Sequence, residues 1–336
     1  MKKILIIKLG AKGDVVRTLP LLEAIKEEHP DSEIYWITKP QSKEILETHP
    51  LIDRLLIIPV SIEEQFDIMY NLDIDKEAIE LAQNIIANNK YGFFSEQGFP
   101  AAFNLNAEYY LNTLFDDELK QSNEKTYQEM IFDVAELDYK KQQGPIHLTK
   151  KDQEYAKEFI TKNNINTKNL IGIHMGASPR WPSKKWHKEK LTQFIIDSKQ
   201  QGYEILLFGG PDEMQEHRDL KQELINKGIK IYTNHPENTS RQFASLVNLC
   251  QAIVCSDSFA LHIALALKKP AIGLFFCTSP NEVEDYGLLK KIISPNLKEF
   301  FPQKMDQYDE GLIKSIAPNE VLEELKKILN KTIKNK

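Results

Sequence analysis

The stretch KILIIKLGAKGDVVRTLPLLEAIKEE (Lys3–Glu28) is the segment from which the fold can be inferred. Lys3–Lys8 is a short run rich in branched apolar residues, and a loop with Gly10 and Gly13 follows it. Such a run beside a glycine-containing loop is typical of a buried strand in a parallel sheet. Between Asp14 and Glu28, apolar residues recur at helical spacing. The stretch therefore predicts a strand, a loop and a helix in succession.

Pro20 lies inside this predicted helix. Proline lacks a backbone N–H, and its ring clashes with the carbonyl four residues earlier. Two arrangements are compatible with it: the helix kinks at Pro20, or a short first turn precedes the main helix.

The same alternation of strands and helices continues outward from this segment, which implies right-handed βαβ units and parallel sheets. In the first half, predicted strands follow at Glu33–Thr38, Leu55–Val60 and Phe66–Leu72. In the second half, strands are predicted at Leu170–Met175, Glu204–Gly209, Lys230–Thr233, Ala252–Ser256 and Ala271–Phe276, and helices at Lys188–Gln201, Pro211–Lys227, Ser240–Cys250, Ser258–Lys268 and Pro318–Thr332.

We therefore predict an α/β protein of two Rossmann-like parallel-sheet domains, residues 1–160 and 161–336. At roughly 150 residues per domain, the 336 residues also suggest two domains. Polar, turn-rich segments on either side of a helix near Lys151–Lys162 place the linker in this region. Ligands of such sheets bind outside the carboxyl ends of the strands. We therefore expect the binding and catalytic residues in the loops that follow the strands of both domains.

The segment Tyr91–Phe115 is rich in aromatic residues and poor in charge, and it interrupts the alternation. We interpret it as an insertion on the first domain. Its aromatic side chains could stack on sugars or form a local hydrophobic lid.

Composition excludes several classes of protein. Hydrophobic residues make up 41% and charged residues 27%, with a net charge of −6, which is ordinary for a folded cytoplasmic protein and argues against nucleic-acid binding. The apolar run after Met1 is too short for a signal peptide, and no stretch is long enough to span a membrane. The three cysteines fit small buried side chains rather than disulfides or a zinc site.

The first loop, Leu9–Asp14, lacks the G-x-G-x-x-G pattern of dinucleotide-binding proteins. Asp14 stands at the predicted helix start. A carboxylate there can act as a general base toward a hydroxyl, or it can simply cap the helix. The spacing alone leaves both interpretations open.

Three loops of the second half have residues suited to a nucleotide. In His174–Ser178 and Trp181–Trp186, small residues, a hydroxyl and two lysines suit a diphosphate, although a solvated basic loop has the same composition. Phe208–Glu213 has two glycines that allow close approach, and Asp212 or Glu213 could bind a ribose hydroxyl or merely favour the helix start.

Asp257–His262 begins a helix at the end of a strand, where exposed amides bind phosphate well. Ser258 and His262 are four residues apart and share a face of that helix. Asp73-Ile74-Asp75 has a metal-binding spacing, but it directly precedes a helical pattern, which favours capping. No other segment suggests a metal site.

Together these segments resemble glycosyltransferase family 9, the ADP-heptose:lipopolysaccharide heptosyltransferases. The resemblance covers most of the chain. It rests on four motifs in order, with KTYQEMIF (Lys125–Phe132) as further support: GDVVRTLPLLEAIKEEHP (Gly13–Pro30), IGIHMGASPRWPSKKW (Ile171–Trp186), LLFGGPDE (Leu206–Glu213) and SDSFALHIALALKKPAIGLFFCTSP (Ser256–Pro280).

The resemblance implies the GT-B fold, two Rossmann-like domains facing across a cleft, and an inverting reaction without a metal or other cofactor. It makes Asp14 the general base and Lys184 the diphosphate-binding lysine. The remaining residues implied for the donor are Gly13, Ser178, Gly209, Gly210, Glu213 (or Asp212), Asp257, Ser258 and His262. Lys12 and Arg17 are assigned to the acceptor.

The predicted function is transfer of a sugar, heptose from ADP-heptose, to a hydroxyl of a cell-surface glycan such as lipopolysaccharide core. The expected partners are this nucleotide sugar and a glycan or lipid-linked glycan. Lysines cluster in the last helix, so this helix could contact an anionic inner membrane surface or could simply pack back onto the domains. Phe259 stands where the family usually has glycine, and Phe276-Cys277-Thr278 where it has Gly-Pro-Thr. Two alternatives therefore remain: a nucleotide-sugar-binding protein without transfer activity, and a GT-B-fold sugar epimerase.

Overall fold

The computed structural model describes residues 1–176 and 178–334, without the side chains of residues 332–334. Contacts divide this chain into two compact units, the first formed by Met1–His147 and Asn281–Glu284, the second by Leu148–Pro280 and Asp285–Lys336. The division falls at 147/148, earlier than the predicted 160/161. The helix at Lys150–Asn163 belongs to the second unit because Asp152 pairs with Arg241 at 3.2 Å and Tyr155 accepts a hydrogen bond from Asn238 at 2.6 Å.

The first unit is built on a six-stranded sheet in the order β3-β2-β1-β4-β5-β6. All neighbouring strands are parallel except β5 and β6, which are antiparallel. The strands are β1 (Lys3–Ile7), β2 (Glu33–Thr38), β3 (Arg54–Ile57), β4 (Phe66–Asn71), β5 (Ala87–Glu96) and β6 (Phe99–Ala102). Residues 4–7 of β1 are fully buried, as its apolar composition predicts for a central strand.

The helices of the first unit are α1 (Lys12–Thr18), α2 (Pro20–Glu28), α3 (Lys43–Leu46), α4 (Lys76–Asn84), α5 (Leu105–Phe115), α6 (Asp117–Ser122) and α7 (Tyr127–Ala135). Of the two arrangements open at Pro20, the structure has the second: a short helix, α1, precedes α2. Pro20 is the first residue of α2, where a missing N–H costs no hydrogen bond.

The interpretation of Tyr91–Phe115 as an insertion is wrong. Tyr91 and Gly92 pair with Tyr70 and Asn71 of β4, so β5 is an integral strand of the sheet. Some of its aromatic side chains pack together, as Phe94 does on Phe103 with ring centroids 4.6 Å apart, whereas Phe99 and Phe115 are exposed. The pattern was misleading because β5 is ten residues long and its first half is polar and partly exposed.

The second unit contains another six-stranded sheet, entirely parallel, in the order β12-β11-β10-β7-β8-β9. Its strands are β7 (Leu170–His174), β8 (Glu204–Phe208), β9 (Tyr232–Thr233), β10 (Ala252–Ser256), β11 (Ala271–Phe275) and β12 (Leu289–Ile293). Its helices are α8 (Lys150–Asn163), α9 (Lys188–Gln200), α10 (Met214–Asn226), α11 (Ser240–Leu249), α12 (Phe259–Ala266), α13 (Leu297–Phe300), α14 (Glu310–Lys314) and α15 (Pro318–Lys334).

Helix α15 packs its apolar face, including Val321 and Leu325, into the core of the second unit. Lys326 and Lys327 on its outer side pair with Glu323 and Glu324. Within the described residues, no helix combines the length and the apolar composition that crossing a membrane requires. Lys336, one of the lysines noted in the sequence, lies outside the described residues.

Both sheets have the strand order of a doubly wound nucleotide-binding fold, in which the order of the strands reverses between the first and fourth strands; we call this place the reversal point. In the first unit these strands are β1 and β4, and in the second unit β7 and β10. The loops after these four strands therefore meet in pairs, and each pair carries polar residues.

Candidate active site

Asp14 lies in the first turn of α1, directly after the loop that follows β1. The helix begins two residues before Asp14, and Ala11 is the N-cap residue, so the capping interpretation is wrong. The Asp14 carboxylate accepts hydrogen bonds from Arg17, at 2.7 Å from Nη2 and 3.1 Å from Nε. Its side chain is 33% exposed, which leaves it accessible to a ligand.

Arg17 is held between Asp14 and an aromatic ring. Its guanidinium lies 3.8 Å from the ring centroid of Tyr127, on α7. The Tyr127 hydroxyl in turn bonds the Thr18 hydroxyl at 2.9 Å. Arg17 thus orients the Asp14 carboxylate, and its assignment to the acceptor stays a prediction, as does that of the half-buried Lys12.

Sequence reasoning missed a buried ion pair between residues that follow β1 and β4, near Asp14. The Lys8 ammonium lies 2.6 Å from the Asp73 carboxylate, and their side chains are only 3% and 11% exposed. Burial alone would lower the pKa of Lys8, but the attraction of Asp73, together with smaller effects of Tyr127, Tyr110 and Asp14, outweighs it and raises this pKa well above its usual value. A lysine that ends a buried strand was a signal for such a partner.

In the second unit, the loops after β7 and β10 bring His174 and Ser258 together. The Ser258 hydroxyl lies 3.2 Å from His174 Nδ1 and makes no capping bond, although Ser258 is the N-cap residue of α12. Burial, with smaller effects from His217 and Lys185, lowers the pKa of His174 to about 4. His174 is therefore neutral near pH 7.

Asp257 lies between the side chains of Lys184 and His262. Lys184, at the end of a short 3₁₀ turn (Pro182–Lys184), donates to one Asp257 oxygen at 3.0 Å. His262, one turn inside α12, lies 3.8 Å from the other oxygen. Lys184 and Asp257 are 17% and 15% exposed, so a cation is held close to the start of α12. A cation beside helix amides suits a phosphate group.

Glu213, rather than Asp212, is the acidic residue that faces inward. It is 9% exposed, and its carboxylate accepts a hydrogen bond from the Gly210 amide at 2.8 Å. A Cβ atom on Gly176 would lie 2.8 Å from Glu213 Oε1, so a residue larger than glycine there would displace this carboxylate. The loops after β7 and β8 therefore meet at Glu213.

Gly209 and Gly210 border a cavity of about 410 Å³ beyond β8 and β9. A Cβ atom on Gly209 would meet His217 at 2.2 Å, so this glycine too is required by close packing. Ser178 is exposed, and its hydroxyl accepts a hydrogen bond from the Arg180 amide at 3.3 Å. The contacts of Ser178 thus lie within its own loop.

The Phe259 side chain packs on the inner side of α12. Its ring lies 5.7 Å from that of Phe243 on α11, and Phe243 also contacts the rings of His174 and Phe208. The phenylalanine at this position therefore belongs to an aromatic cluster behind Ser258.

No group of three or more His, Cys, Asp or Glu side chains within residues 1–176 and 178–334 is arranged to hold a metal ion. The Asp73-x-Asp75 motif separates into two environments. Asp73 faces Lys8, while Asp75 is the N-cap residue of α4, makes no side-chain capping bond and pairs with Lys39 at 3.4 Å.

Taken together, the structure places Asp14 at the reversal point of the first sheet, and His174, Ser258, Asp257, Lys184 and Glu213 around that of the second. Two doubly wound sheets with polar groups at these points are typical of α/β proteins that bind a ligand, often a nucleotide, outside the carboxyl ends of the strands. Asp14 in the first unit adds a carboxylate able to accept a proton.

Comparison with known proteins agrees with this class. The model of glycosyltransferase family 9 (heptosyltransferase) matches residues 62–310, more than half of the chain. Lipopolysaccharide heptosyltransferase 1 of Campylobacter coli is 25% identical over 353 residues, which cover 97% of this chain and 98% of that protein.

Two solved structures share the fold over nearly the whole chain. The glycosyl transferase family 9 protein of Veillonella parvula superposes with a TM-score of 0.78 at 18% identity, covering 98% of both chains. The ADP-heptose lps heptosyltransferase II of E. coli gives a TM-score of 0.71 at 20% identity, covering 98% of this chain and 99% of that one.

The chain belongs to glycosyltransferase family 9. It has the GT-B fold, and it is a glycosyltransferase. The predictions of family, fold class and enzyme class are confirmed, whereas the roles of the individual residues remain predictions.

Proposed function

We propose that this enzyme transfers heptose from ADP-heptose to a hydroxyl of a lipopolysaccharide-type glycan, with inversion at the anomeric carbon. The observation that carries the proposal is the arrangement in the second unit, where Lys184 pairs with Asp257 directly before α12 and the loop after β7 approaches Glu213. The names of the relatives support this donor and this acceptor.

In the proposed reaction, Asp14 accepts the proton of the acceptor hydroxyl while that oxygen attacks the anomeric carbon. The new glycosidic bond forms as the bond between this carbon and the diphosphate oxygen breaks. ADP leaves with the electron pair, and Asp14 later releases its proton to solvent. General-base catalysis of this kind contributes about 10²–10⁴-fold to the rate.

The leaving diphosphate gains negative charge in the transition state. We assign its stabilisation to Lys184 and to backbone amides at the start of α12, which are fixed before the reaction begins. Glu213 would accept hydrogen bonds from the ribose hydroxyls. We also propose that the reaction needs no metal ion.

The proposal is tested by donor binding and by transfer. A ligand at about 100 times its Kd stabilises a protein by ~2.7 kcal/mol, which raises the melting temperature by about 2–4 °C for domains of this size. We expect ADP and ADP-heptose to give this shift, and UDP and GDP to give less. With a lipopolysaccharide-core acceptor, we expect a heptosylated product at a rate that EDTA does not change.

Each other outcome selects a different function. A melting-temperature shift with UDP or GDP, and none with ADP, would show that the donor is not ADP-linked. Donor binding without any product would favour the nucleotide-sugar-binding alternative, which Phe259 motivates. Conversion of ADP-heptose to an isomer in the absence of acceptor would identify the epimerase alternative.

We further propose that the enzyme acts in the cytoplasm on a lipid-linked acceptor and contacts the inner membrane face without spanning it. Cell fractionation tests this: the protein is expected in the cytosolic fraction and, in part, in a membrane fraction from which salt releases it. Release by detergent only would contradict the proposal.

A further inference from the structure

The ion pair of Lys8 and Asp73, here called the Lys8–Asp73 pair, has no role in the function proposed above. Asp73 follows β4, and one of its oxygens accepts hydrogen bonds from the backbone amides of Leu9 and Gly10, the latter at 2.8 Å. The other oxygen is 2.6 Å from the Lys8 ammonium, which also donates to the Leu72 carbonyl at 2.9 Å. One buried carboxylate thus holds three consecutive residues of the loop that leads to α1.

This loop brings Asp73 close to Asp14. A Cβ atom on Gly10 would lie 3.2 Å from Asp14 Oδ2 and 3.2 Å from Asp73 Oδ1. The two carboxylates therefore flank one residue that has no side chain. Any movement of Gly10 away from Asp73 displaces the start of α1 and, with it, the Asp14 carboxylate.

The Lys8–Asp73 pair also interacts with Asp14 through its charges. Asp14 acts on Lys8 as an attractive partner and on Asp73 as a repulsive one. While Lys8 and Asp73 neutralise each other, the pair adds little net charge near Asp14. The other titratable groups around it are Arg17, Tyr110 and Tyr127, with Glu282 acting on Arg17.

We propose that Asp73 is a positioning residue for the transfer reaction, because it fixes the loop before α1 and neutralises Lys8, and so sets the place and the charge state of Asp14. The inference rests on the proposed function, in which Asp14 is the base. In this role Asp73 contacts the loop and Lys8, and neither substrate.

The test is the pH profile of kcat in Asp73→Asn. The neutral amide leaves the Lys8 ammonium unbalanced near Asp14, and a neighbouring cation lowers the pKa of a carboxylate. We expect the acid limb of the kcat profile to move to lower pH by about one unit. Displacement of the base should also lower the maximal kcat by roughly 10- to 100-fold. The KM for ADP-heptose should stay unchanged.

A second variant separates charge from position and avoids an unpaired buried cation. In Lys8→Met/Asp73→Asn both charges are gone, so the acid limb should return to the wild-type pH while kcat stays reduced. Asp75→Asn is the matched control, because Asp75 lies two residues after Asp73 in the chain. Its side chain is 55% exposed and pairs with Lys39. This variant should leave both readouts unchanged.

The inference and the proposed function fail in different ways. An acid limb that stays in place in Asp73→Asn, or a wild-type kcat in the double variant, would overturn the role of Asp73 while Asp14→Asn remains inactive. Full turnover in Asp14→Asn would remove the base itself and overturn both.

Discussion

Asp14 lies among groups that act on it from three sides. Arg17 donates two hydrogen bonds to the Asp14 carboxylate, and the Tyr127 ring packs against the Arg17 guanidinium. The Lys8–Asp73 pair borders the loop before Asp14. A carboxylate held this way keeps one orientation without losing access to solvent. Such preorganisation is what a general base requires.

Asp14→Asn should therefore lower kcat by about 10²–10⁴-fold, because the amide cannot accept the acceptor proton. The melting-temperature shift produced by ADP should remain, since the assigned diphosphate partners lie in the second unit. Steady-state kinetics with ADP-heptose and a lipopolysaccharide-core acceptor measure the first effect, and thermal melts measure the second. The exposed Asp31, changed to Asn, is the control. Turnover within a few-fold of wild type would exclude Asp14 as the base.

At the scale of secondary-structure elements, the junction between α1 and α2 lies about one turn after Asp14. Leu19 keeps helical backbone angles between the two helices, so the chain changes direction only slightly at Pro20. Gly144 covers this junction from a distant part of the chain. A Cβ atom there would lie 2.4 Å from Leu19 Cβ and 2.5 Å from the Pro20 nitrogen. These are contacts that a methyl group cannot make without moving backbone.

Gly144→Ala should therefore destabilise the first unit by about 1–3 kcal/mol, the usual cost of overpacking. Urea unfolding followed by tryptophan fluorescence measures this, since Trp36 is buried in β2 of the same unit. Gly311→Ala is the control, because a methyl group added to Gly311 in α14 would meet the side chain of the N-cap residue, Asp309, and no backbone outside this helix. Equal stability of Gly144→Ala and wild type would show that the junction can move freely.

At the scale of the whole molecule, the two units repeat one strand order, and each has polar residues at the reversal point of its sheet. The first unit also includes Asn281–Glu284, which follow β11 in the chain. There the Glu282 carbonyl accepts a hydrogen bond from the Tyr127 amide at 2.9 Å, and Tyr139 donates to Glu284 at 3.0 Å. The segment thus reaches α7, whose Tyr127 supports Arg17.

Stability of the whole molecule should fall as the pH drops from about 6.5 toward 4. Burial lowers the pKa values of His49, His174 and His217 to about 4, below the 6.5 of an unfolded chain. Between pH 4 and 6.5 the unfolded state binds protons that the folded state does not bind. The stabilisation by these neutral histidines is therefore complete above pH 6.5 and is lost as the pH falls toward 4. For His49, which is 5% exposed, the slope approaches about 1.4 kcal/mol per pH unit.

Thermal melts between pH 7.5 and 5 measure this effect. The melting temperature should decline with pH, and His49→Asn should make the decline shallower, because the asparagine cannot take up a proton on unfolding. The exposed His235, changed to Asn, should leave the slope unchanged. A pH-independent melting temperature in the wild type would contradict the burial of these rings.

The sequence by itself determined the architecture of this protein. Apolar runs of strand length and helical spacing are local properties, so they predict two parallel sheets, and four motifs in order resemble one family of glycosyltransferases. The strands from Leu289 and from Ala87 were missed or misread, because one is partly exposed and the other is half polar. Local patterns do not show what such a strand will pair with.

Only the tertiary structure decided which side chains meet. The pairing of Lys8 with Asp73 joins residues 65 positions apart, and that of Lys184 with Asp257 joins residues 73 positions apart. The tertiary structure also distinguishes Glu213 from Asp212, because Glu213 is buried near Gly176 whereas Asp212 is exposed. These contacts depend on the order of strands in each sheet, because neighbouring parallel strands bring the residues after their carboxyl ends together whatever their separation along the chain.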